Sequence, residues 1–420
     1  MVRYIGCAIV LVALVLTPVS MAAPVDLGVV RDAVDFLRTH HYNPQLDMLA
    51  IIRAGVPGLR RALERAGVPA QGLADIPRGS EGQAMAALEA RLTETVRLAR
   101  GKLSGQDLAH AAVRSMFRAV GDATVFITPR EREITKAFDL GRLAGVGIRF
   151  LEVKDRWIIT AVAPGGPADR AGIRRGDELL RIGPEDVHGL SPLEIRTLLL
   201  GAPGTAVQLT TRGRSGQVTR LMVRGAVSFP ILEQRMLPNR IAYMKFYAFP
   251  PGAADRIHPA IAALGGEKPR GIIVDLQDAG EDLRQEHMEV MGTFFPADTP
   301  VGKIAKRDPN PELSKTWGSP VLPNLPIAVL IGRGTWGAGE LMAAAFKEHA
   351  NAILVGQRTP GMVVVYTTFS LRDGSLAVVV EGHILSGKGL RLHGRGLKPD
   401  VEVAEDRALE RAIQAVTQKR

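Results

Sequence analysis

The chain has 420 residues, 46% of them hydrophobic, a single cysteine and a formal net charge of +10. That length suggests two or three domains, and a lone thiol, Cys7, excludes an intramolecular disulfide and a cysteine-built metal site. The positive charge is scattered rather than blocked, so it reads as an arginine-rich surface; it leaves a membrane surface open as a partner and argues against nucleic acid.

Arg3 precedes an apolar run over residues 8–16 that is too short to span a bilayer, and Ser20-Met21-Ala22 places small residues where a signal peptidase reads. The expectation is a signal peptide over 1–22 and export to the periplasm or cell envelope. Residues 23–136 read as a helical region: Val30, Val34 and Leu37, then Met48, Ile51 and Ile52, recur at three- and four-residue spacing. A further helix through Leu108, Ala112, Met116 and Phe117 ends at the loop signal Gly121-Asp122. His40-His41 reads as a helix-end pair, because no third ligand has diagnostic spacing, and no metal is expected.

From Gly145 the texture changes to short β-rich runs between Gly and Pro, among them Gly147-Ile148-Arg149-Phe150 and Trp157-Ile158-Ile159-Thr160-Ala161-Val162. A small β domain is expected over 137–227. Residues 228–406 alternate strand and helix: strands at 241–246, 271–276 and 327–331, helices near 253–264 and 341–348. That alternation implies an α/β layer, closed by a C-terminal helix over 407–420. The strand at 327–331 runs into the glycine-rich turn Gly332-Arg333-Gly334-Thr335-Trp336-Gly337-Ala338-Gly339-Glu340 and then a helix, a geometry that can expose a nucleophile or present backbone N–H groups.

Pro167-Ala168-Asp169-Arg170-Ala171-Gly172-Ile173-Arg174-Arg175-Gly176-Asp177 resembles the signature of PDZ domains, and Gly145-Val146-Gly147-Ile148 looks like their carboxylate-binding loop. Such a loop needs free backbone N–H groups for a terminal carboxylate and an open strand edge that a peptide can extend. The order helical region, PDZ domain, α/β core resembles the carboxyl-terminal processing, or tail-specific, serine proteases. Phe126-Ile127-Thr128-Pro129, Val355-Gly356-Gln357-Arg358-Thr359 and Gly394-Arg395-Gly396-Leu397-Lys398-Pro399-Asp400 resemble further landmarks of that family. The resemblance implies an α+β multidomain fold: a helical N-terminal region, a PDZ β domain and an α/β protease-like, crotonase-like core.

It also implies a serine nucleophile in the glycine-rich turn, a lysine base in a Thr-x-Gly-Lys pattern and a glutamine four residues later. Here those positions carry Gly337, Met362 and Tyr366. Glycine has no nucleophile and a thioether cannot take a proton at any relevant pH. Where the family has Asp-Leu-Arg-x-Asn-Pro-Gly-Gly, this chain has Asp275-Leu276-Gln277-Asp278-Ala279-Gly280-Glu281-Asp282, so carboxylates stand where a developing oxyanion needs donors. Asp278 with Glu281 or Asp282 reads as a solvated loop rather than a metal or glycosidase pair. Thr335, Ser370, Ser375 and Ser386 offer no hydroxyl at the turn apex with a base in spacing.

No catalytic residue is therefore expected, nor any cofactor. The expected role is an exported pseudoprotease whose PDZ loop Gly145, Val146, Gly147 and Ile148 binds protein or peptide C-termini, as an adaptor, scaffold or regulator open to self-association or association with an active protease. Two alternatives remain: a peptidase with non-standard catalytic residues, and an apolar ligand in the former cleft beside Trp336, Met362 and Tyr366.

Overall fold

The computed structural model describes residues 27–139, 142–281, 285–307, 312–322 and 324–418. The expected signal peptide lies outside them. The described chain forms two compact units, one from residues 27–30 and 49–116, the other from 31–48 and 117–418.

The first unit is helical, built mainly from Gly55–Arg65, Glu81–Ala99 and Gly105–Val120. Ser80 caps the longest helix: its hydroxyl accepts from Gln83 N and its own N–H donates to Gln83 Oε1. At Gly58 two backbones come together, since a Cβ there would lie 2.3 Å from the Ala111 carbonyl oxygen.

The second unit holds the β domain and the α/β core. Ile148–Val153 is an edge strand of a sheet that continues through Arg156–Val162, Glu178–Ile182, Ala206–Gly213 and Gly216–Val223. Trp157, Ile159, Leu179 and Leu209 pack beneath the Pro192–Leu199 helix through Ile195. This is the expected small β domain, with Ile148–Val153 at its edge.

The core is a six-stranded sheet in the order Val401–Glu402, Ile353–Gly356, Ile327–Ile331, Gly271–Asp275, Ile241–Phe246, Leu232–Leu237, parallel except for the last strand. Ala253–Gly266 and Ala338–His349 pack on one face, where Ile257, Ile261, Leu341 and Met342 meet Val274 and Val329. The other face, with Ile273 and Leu330, takes Ala408, Ala412 and Val416 of the Glu405–Gln418 helix. Burial on both faces is why these strands read as unbroken apolar runs.

A five-stranded sheet stands beside this core, in the order Val125–Ile127, Leu376–Ser386, Pro300–Ala305, Glu312–Lys315, with Val364–Ser370 also pairing with Leu376–Ser386. Its first strand lies within the region expected to be helical: Val125 opposes Val378 and Ile127 opposes Leu376. Residues 31–48 join the same unit, with Phe36 stacked on Phe369 at 4.7 Å and Arg372 gripping Asp32 through two bonds of 2.8 and 2.7 Å.

Gly58→Ala, despite alanine's better helix propensity, is expected to lower stability by about 1–3 kcal/mol through overpacking. Gly82→Ala, with open space around it, should raise stability by about 0.5–1 kcal/mol. Urea unfolding of the two variants beside the parent protein checks the opposite signs.

Candidate functional site

The turn between Ile327–Ile331 and Ala338–His349 is held from below by Thr335, which is fully buried: its hydroxyl donates to the Leu276 carbonyl at 2.8 Å and accepts from Gly332 N at 2.9 Å. With both capacities used, Thr335 is not a poised nucleophile. Gly337 forms the apex with φ 55° and ψ −115°, left-handed backbone that costs glycine little and strains a side-chain-bearing residue. Its strand residue pairs in parallel with Glu281, so the acidic loop runs directly alongside the apex.

Glu340, three residues into the turn's helix, is the organising side chain. It is fully buried, and its carboxylate accepts from the Thr359 hydroxyl, from Gly361 N at 2.8 Å and from Met362 N at 2.8 Å. The Met362 carbonyl in turn accepts from Gly337 N at 3.1 Å. Gly337 and Met362, the two positions expected to correspond to a nucleophile and a base, are thus brought together on one frame. Burial pushes the Glu340 carboxyl up to about 7 against the hydrogen bonds that favour its ionised form. Tyr366 lies farther along the Val364–Ser370 strand and is 38% exposed.

The other hydroxyls expected to be idle are placed away from this apex. Ser375 donates to Asp373, and Ser386 donates to Glu348 while accepting from Leu390 N at 2.9 Å; both are structural. Ser370 ends the Val364–Ser370 strand and is exposed. Of two cavities of about 320 and 300 Å³, one is lined by Arg53, Pro57 and Ile76 and the other by Ile353, Val401 and Arg411; neither is lined by Trp336, Met362 or Tyr366.

The solvated-loop reading of Asp278 is overturned. Asp278 is buried, with Lys245 Nζ at 2.6 Å and the Arg175 guanidinium on its other oxygen. Burial alone would lower the Lys245 ammonium, but Asp278 and then Asp275 outweigh it and hold it above its ordinary range. Arg175 also donates to the Gln277 carbonyl at 2.8 Å and pairs with Glu405 at 2.7 Å. Beneath, Tyr243 donates to Asp275 at 2.7 Å. An arginine of the β domain therefore latches the loop that borders the apex, which the scattered charges in the sequence gave no sign of.

In the β domain the loop Gly145-Val146-Gly147-Ile148 precedes the edge strand, as a carboxylate-binding loop requires. The Val146 and Gly147 amides donate no hydrogen bond among the described residues, whereas Gly145 N is taken by the Gly225 carbonyl at 3.1 Å. The loop is buried, and Val227 of the segment leading to the core lies over it: a Cβ at Gly147 would meet Val227 Cγ1 at 2.9 Å.

His41 and His40 end the first helix, as expected, and both have partners: His41 Nε2 lies 2.7 Å from Asp122 and His40 Nδ1 3.7 Å from Glu381. A histidine that sequence reasoning missed is His287. It is fully buried beneath the apex helix, edge-on to Phe249 at 5.0 Å and turned toward Ala338, with neither ring nitrogen in hydrogen-bond geometry. Burial pulls it down to about 3.

The glycine-rich turn on a strand-helix junction, set against an arginine-latched loop and preceded by a small β domain, follows the order that the family resemblance implied. The comparisons agree: residues 240–403 match Peptidase family S41 and residues 158–213 match the PDZ domain. The chain is a homologue of the carboxyl-terminal processing proteases. It is 27% identical to the chloroplastic Carboxyl-terminal-processing peptidase 1 of Arabidopsis thaliana over 71% of this chain and 63% of the relative. It is 26% identical to the Carboxy-terminal processing protease CtpA of Bacillus subtilis over 72% of this chain and 65% of the relative. The chain thus spans a little under two thirds of the length of these relatives. The fold matches a solved photosystem II D1 C-terminal processing protease with a TM-score of 0.64 at 21% identity, over 87% of this chain and 96% of that one.

Two buried groups give pH dependences of opposite sign. His287 takes its proton in the unfolded chain near 6.5 but in the folded chain only near 3, so it removes stability as pH falls across that window. Glu340 keeps its proton up to about 7 in the folded chain against 4.5 ordinarily, so its contribution is full below 4.5 and is lost as pH rises through 7. Urea unfolding across this range should show a flattened acid limb for His287→Leu and a flattened neutral limb for Glu340→Gln.

Proposed function

We propose that this protein is an exported, peptide-binding pseudoprotease that acts in the periplasm or cell envelope as an adaptor or regulator, taking protein C-termini through its PDZ domain. The observation that carries the reading is the frame around Gly337. The apex backbone is set for a nucleophile and Glu340 positions the neighbouring segment, yet the apex has no hydroxyl and the segment presents a thioether. Proteolysis by a serine hydroxyl needs that hydroxyl and a base to deprotonate it as it attacks. The hydroxyls of Thr335, Ser375 and Ser386 are engaged elsewhere, and the backbone of Glu281 pairs with that of the apex residue.

Peptide recognition keeps its requirements. Two loop amides donate no bond, the following strand is a sheet edge, and its Ile148 and Phe150 pack against the same cluster as Leu198 of the Pro192–Leu199 helix. Val227 stands over the loop, so peptide entry displaces the segment that joins the PDZ domain to the core.

The purified protein should leave an unfolded substrate with an apolar C-terminus uncut. Cleavage that co-purifies with the chain and resists inhibitors of contaminating proteases would make it a peptidase with non-standard residues instead. Activity confined to the double variant Gly337→Ser with Met362→Lys would support a cleft still shaped for a peptide. In calorimetry, peptides with free C-termini should bind and their amidated forms should not, and Val227→Gly should tighten binding severalfold. Equal binding of the amidated peptides would overturn the PDZ role.

A further inference from the structure

Outside the sites above, one group of side chains combines positive charge, aromatic rings and unmet hydrogen-bonding capacity. Tyr42 follows the first helix, His383 lies on the Leu376–Ser386 strand, and Arg391 and His393 sit on the turn that returns to Gly361. Tyr42 meets His383 edge-on at 5.7 Å and His393 at 6.2 Å, and the two imidazoles are stacked at 6.4 Å.

The neighbourhood is short of anions. Asp122 is committed to His41 at 2.7 Å and to Thr124 N at 2.8 Å, and Glu381, on the same strand as His383, faces His40. Arg391 is exposed and makes no ion pair among the described residues. The Nδ1 atoms of both His383 and His393 are shielded from water and have no partner. The His393 ring lies beside the Gly361 backbone. Both ring nitrogens of an imidazolium carry a proton, so protonation of either ring puts an N–H at Nδ1 that meets no acceptor among the described residues.

We propose that Tyr42, His383, Arg391 and His393 form a binding site for an oxyanion, a carboxylate or phosphate group, that fills as the two imidazoles take up protons. The anion supplies the acceptor that the protonated Nδ1 atoms lack, the guanidinium gives it a charged fork, and the Tyr42 hydroxyl adds a donor. It reaches Nδ1 when an imidazole turns about χ2, a soft torsion. Burial first, then Arg391, and then His393 in the case of His383, keep these imidazoles below the ordinary histidine range, so the site is uncharged apart from Arg391 near neutral pH. For His393, Asp122 pulls the other way and His41 adds to the depression. Because the anion favours the protonated rings, its affinity rises as pH falls, and by the same linkage it raises both histidines. Since Gly394, the chain neighbour of His393, donates its N–H to the Gly361 carbonyl at 2.8 Å, occupancy reaches the segment held by Glu340.

The test is a titration of the imidazole C–H resonances of the full chain with acetate, inorganic phosphate, and a short peptide in free-acid and amidated forms, at constant ionic strength. His383 and His393 should shift saturably, with affinity at least about tenfold higher at about pH 5.5 than at about pH 7.5; each fully linked proton allows up to about tenfold per pH unit. His40 and His287 should stay still. Arg391→Ala, at a surface position without hydrogen bonds from its side chain, should abolish the shifts while leaving the urea midpoint unchanged, and Tyr42→Phe should weaken them. Response to the free-acid peptide but not its amide or phosphate assigns the site to chain ends; response to acetate and phosphate alike assigns it to small anions. No saturable shift with any probe at the lower pH, or shifts that survive Arg391→Ala, overturns the proposal.

Discussion

The buried carboxylate of Glu340 is the interaction on which the site depends. A carboxyl group taken out of water needs several donors to offset its desolvation, and here they come from Thr359, Gly361 and Met362 on a single segment. The segment cannot drift without leaving those oxygens unmet. Through the Met362 carbonyl it also takes up Gly337 N, so one side chain fixes the helix start, the apex and the strand that follows. None of the bonds in this frame uses a hydroxyl at residue 337 or an amine at residue 362, so its stability does not rest on either.

A second frame joins the PDZ domain to the core. Arg175 spreads its guanidinium over Asp278, the Gln277 carbonyl and Glu405, and Arg149 reaches the Asp278 and Tyr247 carbonyls while lying over Phe229 at 4.4 Å. Planar, many-donor arginines suit this work better than lysines, since one group satisfies several acceptors at once. With Val227 over the carboxylate loop, the segment between the domains touches both the loop that would receive a peptide and the start of the core. The two frames meet at 277–281, so the apex is bordered on one side by Glu340's segment and on the other by the loop that Arg175 holds.

Much of this was legible in the sequence. The strands at 241–246, 271–275 and 327–331 appear where the apolar runs lie, because both faces of that sheet are covered and no alternation dilutes the signal. The glycine-rich turn and the PDZ signature are local, and local patterns survive reading one residue at a time. Val125–Ile127 was not legible as a strand: three residues show no period, and its partner lies roughly 250 positions away. Asp278 looked solvated because its two cations, Lys245 and Arg175, come from distant strands and loops. Glu340 and His287 were missed for a related reason. A buried charged residue or an unpartnered ring is defined by what folds over it, and neither carries a mark in the chain of letters.

The pairing of Val125–Ile127 with Leu376–Ser386 sets the order in which the molecule can be assembled. At a synthesis rate of about 5–20 residues per second, the first strand emerges some tens of seconds before its partner exists. Phe126, buried in the finished sheet, must wait through that interval with its apolar face uncovered. Residues 31–48 wait with it, for their grip on Phe369 and Arg372 lies equally far downstream. The PDZ domain, whose strands all fall between 148 and 223, can close meanwhile on local contacts. Assembly therefore runs from the middle outward, and a chain cut short before residue 376 would have a folded PDZ domain with no sheet to stand on.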